Sequence, residues 1–467
     1  MKKNPKSGII WVLKANIKTR KGVLSMAKCT TYSLESNRKI KFNFDGGELS
    51  SDSGLLLVKE FMAKIGLVDY IRRNFHTTDT ASTRLHTDSD NLMQAIYQII
   101  SGYFEDDCAD ELTNEPVMTA ILDKERLASQ PTLSRFWNRM DQSTLDQLNE
   151  LFQAMRKTIY AMNRPEFMVF DIDTTLLDAY GNQEGVAFNY HYQSVGYHPF
   201  LCFNGLNGDL LKAELRDGTD YCSKGSGAFM RPLLQEFHDR YPYTDMYLRG
   251  DSGFAAPELY EVCEEYGCKY AIRLKENSKL MELAKEKDEA LYNATAQDMV
   301  RAACEYGEFM YQAGSWTHPR RVVFQIEKPY GRMDHVFTFV VTAMESEPYQ
   351  VLQFYCGRGK MENFIKEGKS GFDFSSVSSA SKIVNANRLL VHGLAYNVIN
   401  WFRRLVLDKG MAKMRIDAIR LKLMKIAAKI VHTGRYIVFK LCSSCPYQKE
   451  FITTLKNIHN LTIPLLE

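Results

Sequence analysis

Two short apolar segments of the chain end in aspartate, a residue type that binds hard cations. The first begins at Phe167 and reaches Asp171 and Asp173, and the second runs from Met246 to Asp251. A carboxylate at the edge of an apolar core is unfavourable unless it is paired or binds a metal. If the two segments are converging strands, their acids predict an oxygen-lined cation site. Each motif alone also fits an aspartate that caps a turn, and that interpretation stays open.

A second pattern places four polar side chains along one predicted helix. Tyr355, Arg358, Glu362 and Lys369 follow the spacing Y-x₂-R-x₃-E-x₆-K. At about 100° per residue these four positions fall within an arc of about 60°. One helix face then carries a carboxylate flanked by an aromatic ring and two cations, which suits a metal ligand beside DNA phosphates. The alternative is a solvated face with ordinary ion pairs, and the interspersed glycines weaken the case for an unbroken helix.

The elements around these motifs predict an α/β protein, because strands and helices alternate from Pro165 onward. We expect six segments, the last of which begins with a basic helix over Ala412–Val431. The segments are a basic leader over 1–38, a hairpin and helical DNA-binding region over 39–165, a first core part over 166–275, a β-rich insertion over 276–350, a second core part with the Y-R-E-K helix over 351–411, and a basic C-terminal helix and tail over 412–467. Met26 is an alternative start, which would leave 1–25 as a leader without a fold of its own.

The charge of the chain is unevenly distributed. The net charge is only +3, but 1–41 carries +10 and 356–440 carries +12, so that 42–355 is strongly acidic. Basic ends around an acidic centre suit a polyanionic partner together with a site that needs cations. No apolar run is long enough to span a bilayer, and the N-terminus lacks the features of a signal peptide. We therefore expect a cytoplasmic, nucleoid-associated protein with no membrane partner.

Several longer segments of the chain match one known family. They are FNFDGGELSSDSGLLL, LASQPTLSRFWNRMD, FDIDTT, LRGDSGF and NANRLLVHGLAYN. With these segments and the Y-R-E-K signature, the chain resembles the DDE transposases of the insertion-sequence-four superfamily, and within it the thirteen-eighty group. The resemblance implies an RNase H-like catalytic core with a β-rich insertion and an N-terminal DNA-binding region. It also implies catalytic and metal-binding roles for Asp173, Asp251 and Glu362, with Asp171 as the second choice for the first ligand.

The resemblance further implies Mg²⁺-dependent DNA cleavage and strand transfer. Two Mg²⁺ ions, for which Mn²⁺ substitutes, would activate the attacking oxygen and stabilise the leaving oxygen. Tyr355, Arg358 and Lys369 would hold the cleaved strand through its phosphates. The expected partners are double-stranded DNA, at terminal inverted repeats and at the target, and a second copy of the chain in a homodimeric synaptic complex.

Two other functions fit part of the sequence. The run from Asp171 to Thr175 matches the D-x-D-x-T motif of haloacid-dehalogenase-like phosphohydrolases, with Asp171 as nucleophile and Asp173 as acid and base. That interpretation leaves the Y-R-E-K face and the basic ends unexplained. The second alternative is a transposase derivative that binds DNA without cutting it.

Overall fold

The structure, a computed structural model, describes residues 31–463 except 82, 297 and 299. Most of the predicted basic leader, including the alternative start at Met26, lies outside the described residues. The described chain begins with three strands of two residues each, which are β1 (Tyr32–Ser33), β2 (Lys41–Phe42) and β3 (Leu49–Ser50). Strands β1 and β2 form an antiparallel pair.

In the described part of the chain, seven helices follow before the first long strand. They are α1 (Leu55–Lys64), α2 (Leu67–Asn74), α3 (Asp88–Ser101), α4 (Cys108–Glu111), α5 (Pro116–Leu122), α6 (Gln130–Asn138) and α7 (Gln142–Met162). Helices α3 and α7 both begin with a capping box, in which the side chain before the helix and the third helical residue satisfy each other's backbone amides. These local hydrogen bonds explain why both helices start where they do.

A mixed sheet of eight strands follows the helices. The strands in this part of the chain are β4 (Phe167–Thr174), β5 (Leu177–Asp178), β6 (Ala187–Asn189), β7 (Ser194–Tyr197), β8 (Phe200–Asn204), β9 (Leu210–Glu214), β10 (Asp245–Gly250), β11 (Lys269–Leu274), β12 (Ala303–Tyr311), β13 (Arg320–Lys328) and β14 (Val336–Thr342). The large sheet has the order β12-β13-β14-β11-β10-β4-β8-β9, and β5, β7 and β6 form a small separate sheet. Strands β4, β10 and β11 are parallel, whereas the other neighbours are antiparallel.

The strands of the predicted insertion join this large sheet. Strand β14 pairs with β11, and β13 and β12 continue the sheet outward from it. The stretch over 276–350 therefore extends the sheet that carries the two aspartate motifs. Its side chains share the main apolar core, because Val322, Phe324 and Phe339 are almost fully buried there.

Helices pack against the sheet and connect its strands. They are α8 (Ser226–Arg240), α9 (Pro257–Glu265), α10 (Ser278–Thr295), α11 (Pro348–Cys356), α12 (Lys360–Phe372) and α13 (Lys382–Val406). A 3₁₀ turn over Gly357–Gly359 joins α11 to α12. Every residue of α13 from 384 to 402 is buried, and the helix packs against α3, α7 and β9. This helix therefore connects the N-terminal helices to the sheet.

The predicted basic helix over Ala412–Val431 is wrong. That stretch contains only a short helix, α14 (Ile416–Ile419), followed by a π turn and by strand β15 (Ala428–His432). The physical reason is tertiary pairing, because β15 joins both β3 and the next strand, β16 (Ile437–Leu441). The chain then forms α15 (Gln448–Asn460). Among the described residues, no helix combines the length and the apolar character needed to cross a bilayer.

Candidate active site

The parallel pair of strands β4 and β10 brings the two aspartate motifs to one edge of the sheet. Arg249 of β10 is in register with Asp171 of β4. Two residues further along each strand, the chain reaches Asp251 and Asp173. Asp173 is the penultimate residue of β4, and Asp251 follows β10 directly, where its Oδ1 accepts a hydrogen bond of 2.8 Å from the amide of Gly253. The convergence of the two acids therefore follows from strand register.

A guanidinium group lies in contact with both acids. Arg358 Nη2 is 2.7 Å from Asp173 Oδ2 and 3.8 Å from Asp251 Oδ2. Arg358 comes from the 3₁₀ turn between α11 and α12, so this turn faces the acidic edge of the sheet. Its Nε is buried and has no hydrogen-bond partner among the described residues. The site is thus a cluster in which the guanidinium group of Arg358 forms ion pairs with the carboxylates of both Asp173 and Asp251.

The surroundings of Asp173 raise the pKa of its carboxyl group. Burial raises the pKa of Asp173 to about 6, Arg358 opposes the rise, and the nearby charges of Asp251 and Glu362 add to it. Burial alone would lower the pKa of Arg358, but Asp173 and Asp251 outweigh it and raise that pKa. Burial and two neighbouring carboxylates therefore disfavour the ionised form of Asp173, whereas Arg358 favours it.

Glu362 and Lys369 line an open cavity beside Asp173. The cavity has a volume of about 490 Å³, and its walls also include Thr174, Thr175 and Ile365. The Nζ of Lys369 donates a hydrogen bond to the carbonyl of Leu176, just after β4. Burial lowers the pKa of Lys369. A cation and a carboxylate from α12 thus stand at the mouth of a cavity that reaches Asp173.

Tyr355 lies in the last turn of α11, three residues before Arg358. Burial raises the pKa of Tyr355, and the charges of Arg358 and Asp251 both act on it. The four residues of the Y-R-E-K pattern therefore all lie along the acidic edge of the sheet. They do so across two helices and a 3₁₀ turn, because the glycines at 357 and 359 interrupt the single helix that the spacing predicted.

Asp171, the second choice for the first ligand, is paired with Arg249. Its side chain is fully buried, and Arg249 donates to it through Nε and Nη2 at 2.6 and 2.8 Å. The remaining Nη1 donates to the carbonyl of Phe354 at 2.9 Å. Glycines make room for this pair, since a Cβ on Gly205 or Gly357 would lie within 2.5 Å of these side chains. Asp171 therefore faces a buried arginine, whereas Asp173 faces the cavity.

The donor types at this edge fit a divalent cation. Carboxylate oxygens are the ligands that Mg²⁺ prefers in proteins. Asp173 and Asp251 already direct oxygens at one positive group, and Glu362 lines the same cavity as Asp173. In the part of the chain that the structure describes, no three His, Cys, Asp or Glu side chains are arranged to hold a metal ion together. A complete metal site would therefore require Glu362 to approach the two aspartates.

Two side chains at the site were not singled out from the sequence. The hydroxyl of Tyr192 donates to the carbonyl of Thr174 at 3.5 Å, and the thiol of Cys222 is 3.5 Å from the hydroxyl of the same residue. The only sequence signal for Tyr192 is the polar and aromatic run Asn-Tyr-His-Tyr that contains it. Nothing in the sequence near Cys222 distinguishes it from the other cysteines.

Comparison with known proteins identifies the family. A comparison with curated proteins found no match. Among solved structures, the chain is similar to a piggyBac transposase in a synaptic complex with hairpin DNA, with 14% sequence identity, 80% of each chain covered and a TM-score of 0.41. The family model described as transposase DDE domain group 1 matches residues 32–463. Because this match extends over nearly the whole chain, the protein belongs to that family of DDE transposases.

Proposed function

We propose that this protein is an insertion-sequence transposase that cuts DNA at the ends of its element and joins those ends to target DNA. The observation that carries the proposal is the contact of Asp173 and Asp251 with Arg358, in a chain of the DDE transposase family. Two acids that converge on one cation at a sheet edge are what metal-dependent phosphoryl transfer needs. The finer placement in the thirteen-eighty group, the RNase H-like identity of the core and the nucleoid location are parts of the same proposal.

In this proposal Asp173, Asp251 and Glu362 hold Mg²⁺, with Mn²⁺ as a substitute. When bound, the cation supplies Lewis-acid stabilisation of the oxygens around phosphorus. The raised pKa of Asp173 fits this assignment, because a bound cation would favour the ionised carboxylate that burial, together with Asp251 and Glu362, disfavours. Glu362 supplies the third carboxylate from α12, next to the same cavity.

The cations of the Y-R-E-K pattern would position the DNA strand. Arg358 can offer two parallel N–H donors to a phosphate, whereas Lys369 offers a compact charge at the mouth of the cavity. Tyr355 borders Arg358 and would hold the same strand. The proposed partners are terminal inverted repeats, target DNA and a second copy of the chain, because joining two element ends requires two sites.

The position of Asp171 supports this proposal over a phosphohydrolase. A nucleophilic aspartate needs a free oxygen directed at the substrate. Both oxygens of Asp171 accept hydrogen bonds from Arg249, and the side chain is fully buried. An attack on phosphorus would break this pair, whereas Asp173 is directed toward the cavity.

The proposed cleavage activity can be tested on a supercoiled plasmid that carries the DNA flanking this gene on both sides. With Mg²⁺ present, we expect the protein to release or nick the segment, and we expect Glu362→Gln and Asp251→Asn to abolish cleavage while DNA binding persists. Glu289→Gln is the matched control, because Glu289 is exposed on α10 and pairs with Lys285 in the preceding turn. Full cleavage by Glu362→Gln would refute the site assignment. Binding without cleavage by the unsubstituted protein would favour a non-catalytic derivative.

A further inference from the structure

A cluster of exposed aromatic rings lies on β6 and on the turn that joins it to β7. We refer to Phe188, Tyr190, His191 and Tyr192 as the aromatic turn. Tyr190 is 82% exposed, Phe188 is 42% exposed and Tyr192 is 39% exposed. The rings contact one another edge to face, with centroids 5.2 Å apart for Phe188 and Tyr190 and 4.7 Å apart for His191 and Tyr192. Clustered exposed rings of this kind mark an interaction surface.

Hydrogen bonds hold the backbone of this turn in place. The buried Asn189 accepts from the amides of His191 and Tyr192 at 3.0 and 3.3 Å, and it donates to the carbonyl of Gly218 at 3.0 Å. Tyr192 also packs edge to face on the buried His198, with centroids 5.8 Å apart. The rings therefore project from a backbone that is anchored to the rest of the protein.

The turn lies next to the acid cluster. The Tyr192 hydroxyl is 3.5 Å from the carbonyl of Thr174, the residue that follows Asp173. The charges of Asp173 and Asp251, together with burial as the largest cause, raise the pKa of Tyr192 to about 12. Both acids thus act electrostatically on this ring. A DNA strand with a phosphate at the acids would place its neighbouring nucleotides at the aromatic turn.

The charge of the turn decides which part of a nucleotide it would contact. The segment from Leu177 to Tyr197 contains two acidic residues and no lysine or arginine, so it repels phosphate. Nucleobases stack on aromatic rings without needing a positive charge, and every base presents a face that can stack. Phosphate contacts are instead available beside the acids, at Arg358, which contacts both of them, and at Lys369, which lines the cavity next to Asp173.

We infer that the aromatic turn is a stacking site for unpaired nucleobases of the DNA strand whose phosphate lies at Asp173 and Asp251. The inference rests on the proposed function and adds a recognition element to it. Tyr192 stacks on the nucleotide nearest the acids, and Tyr190 stacks further from them. The acids and cations position the backbone, whereas the aromatic turn selects strands that are locally unpaired.

Two DNA probes test this inference. One is a duplex that ends in a fork of unpaired thymines with one 2-aminopurine, and the other is the same duplex fully paired. Binding is measured by fluorescence anisotropy in EDTA, so that neither probe is cleaved, and stacking is measured by quenching of 2-aminopurine. We expect tighter binding of the forked probe, and we expect Tyr192→Ala and Tyr190→Ala each to weaken that binding by about tenfold. Affinity for the paired duplex should change little.

Conservative variants and a distant tyrosine provide the controls. Tyr192→Phe and Tyr190→Phe keep the rings, and we expect them to keep both the preference for the fork and the quenching. Tyr243→Ala should behave like the unsubstituted protein, because Tyr243 is 89% exposed and precedes β10 at the end opposite Asp251. Unchanged fork binding by both alanine variants, or an equal loss on both probes, would overturn the stacking site and leave the cleavage proposal intact. Failure of the unsubstituted protein to bind either probe would overturn both.

Discussion

Arg249 donates to both carboxylate oxygens of Asp171, and this buried pair links the two strands that carry the candidate catalytic acids. The two N–O distances are 2.6 and 2.8 Å, and the third donor of Arg249 reaches the carbonyl of Phe354 in α11. Asp173 and Asp251 each lie two residues beyond a member of this pair. The pair therefore fixes β4, β10 and the start of the Y-R-E-K segment relative to one another.

We predict that Asp171→Asn destabilises the protein by about 3 kcal/mol, because removing one charge leaves the other buried and unpaired. Urea unfolding followed by tryptophan fluorescence measures the effect. The control is Asp334→Asn, which disrupts a solvent-exposed pair with Arg332 and should leave stability nearly unchanged. Loss of cleavage with unchanged stability would instead show that Asp171 takes part in the chemistry.

The sequence predicted the acids better than it predicted what surrounds them. Asp173 lies near the end of the apolar strand β4 and Asp251 directly follows β10, and acids at the ends of neighbouring parallel strands meet at one edge. The pairing of Asp171 with Arg249 was not predictable, since it depends on strand register. The spacing from Tyr355 to Lys369 predicted a common face, but not the 3₁₀ turn that carries Arg358 toward the acids.

Elements that depend on distant pairing were predicted poorly. Basic residues between Ala412 and Val431 follow a helical period, yet Ala428 and Lys429 pair with Ser50 and Leu49 at the other end of the chain. No local pattern contains that information. The aromatic turn was missed for a related reason, because composition does not tell an exposed tyrosine from a buried one. Solvent exposure is set by the tertiary packing of β6 and β7.

The pKa of Asp173 predicts how stability depends on pH. Its folded pKa is about 6, above the ordinary value of 3.8, so the folded protein binds more protons than the unfolded chain between those values. Without divalent cations, this group therefore makes stability fall as pH rises from about 4 to about 6. We predict that Asp173→Asn flattens this slope, stabilises the protein at neutral pH and abolishes cleavage.

Thermal melting in EDTA across this pH range, for the unsubstituted protein and for Asp173→Asn, measures the slope. Asp334→Asn, at an exposed position, should leave the slope unchanged. A slope that is identical in the protein and in Asp173→Asn would mean that the pKa of Asp173 is not raised.

Arg358 neutralises part of the charge of the two aspartates, and its removal should make the site more dependent on added cations. We predict that Arg358→Gln lowers the melting temperature in EDTA, because Asp173 and Asp251 lose their shared partner. Added Mg²⁺ should then raise the melting temperature more in the variant than in the unsubstituted protein. Cleavage should nevertheless fall by at least tenfold, because the phosphate loses its forked donor.

The control for this variant is Arg332→Gln, at an exposed arginine that pairs with Asp334, two residues further along the chain. It should show the same response to Mg²⁺ as the unsubstituted protein. A response of Arg358→Gln that is no larger than that of the control would argue against cation binding by the two aspartates.

Lys369 provides a test of where the DNA backbone lies. It lines the cavity beside Asp173 and Glu362, and its ammonium group donates to a backbone carbonyl. If that ammonium group contacts a phosphate, Lys369→Gln should reduce the salt dependence of DNA binding by about one unit of log affinity per log salt, equally for all sequences. The affinity should fall most at low salt.

Anisotropy titrations of one duplex over a series of salt concentrations measure the slope of log affinity against log salt. Lys285→Gln on the exposed face of α10 should keep the original slope, because its ammonium group pairs with Glu289 and neither residue lines the cavity. A slope that is equally steep in Lys369→Gln and in the control would place the backbone away from α12, and the Y-R-E-K face would then be a solvated helix surface.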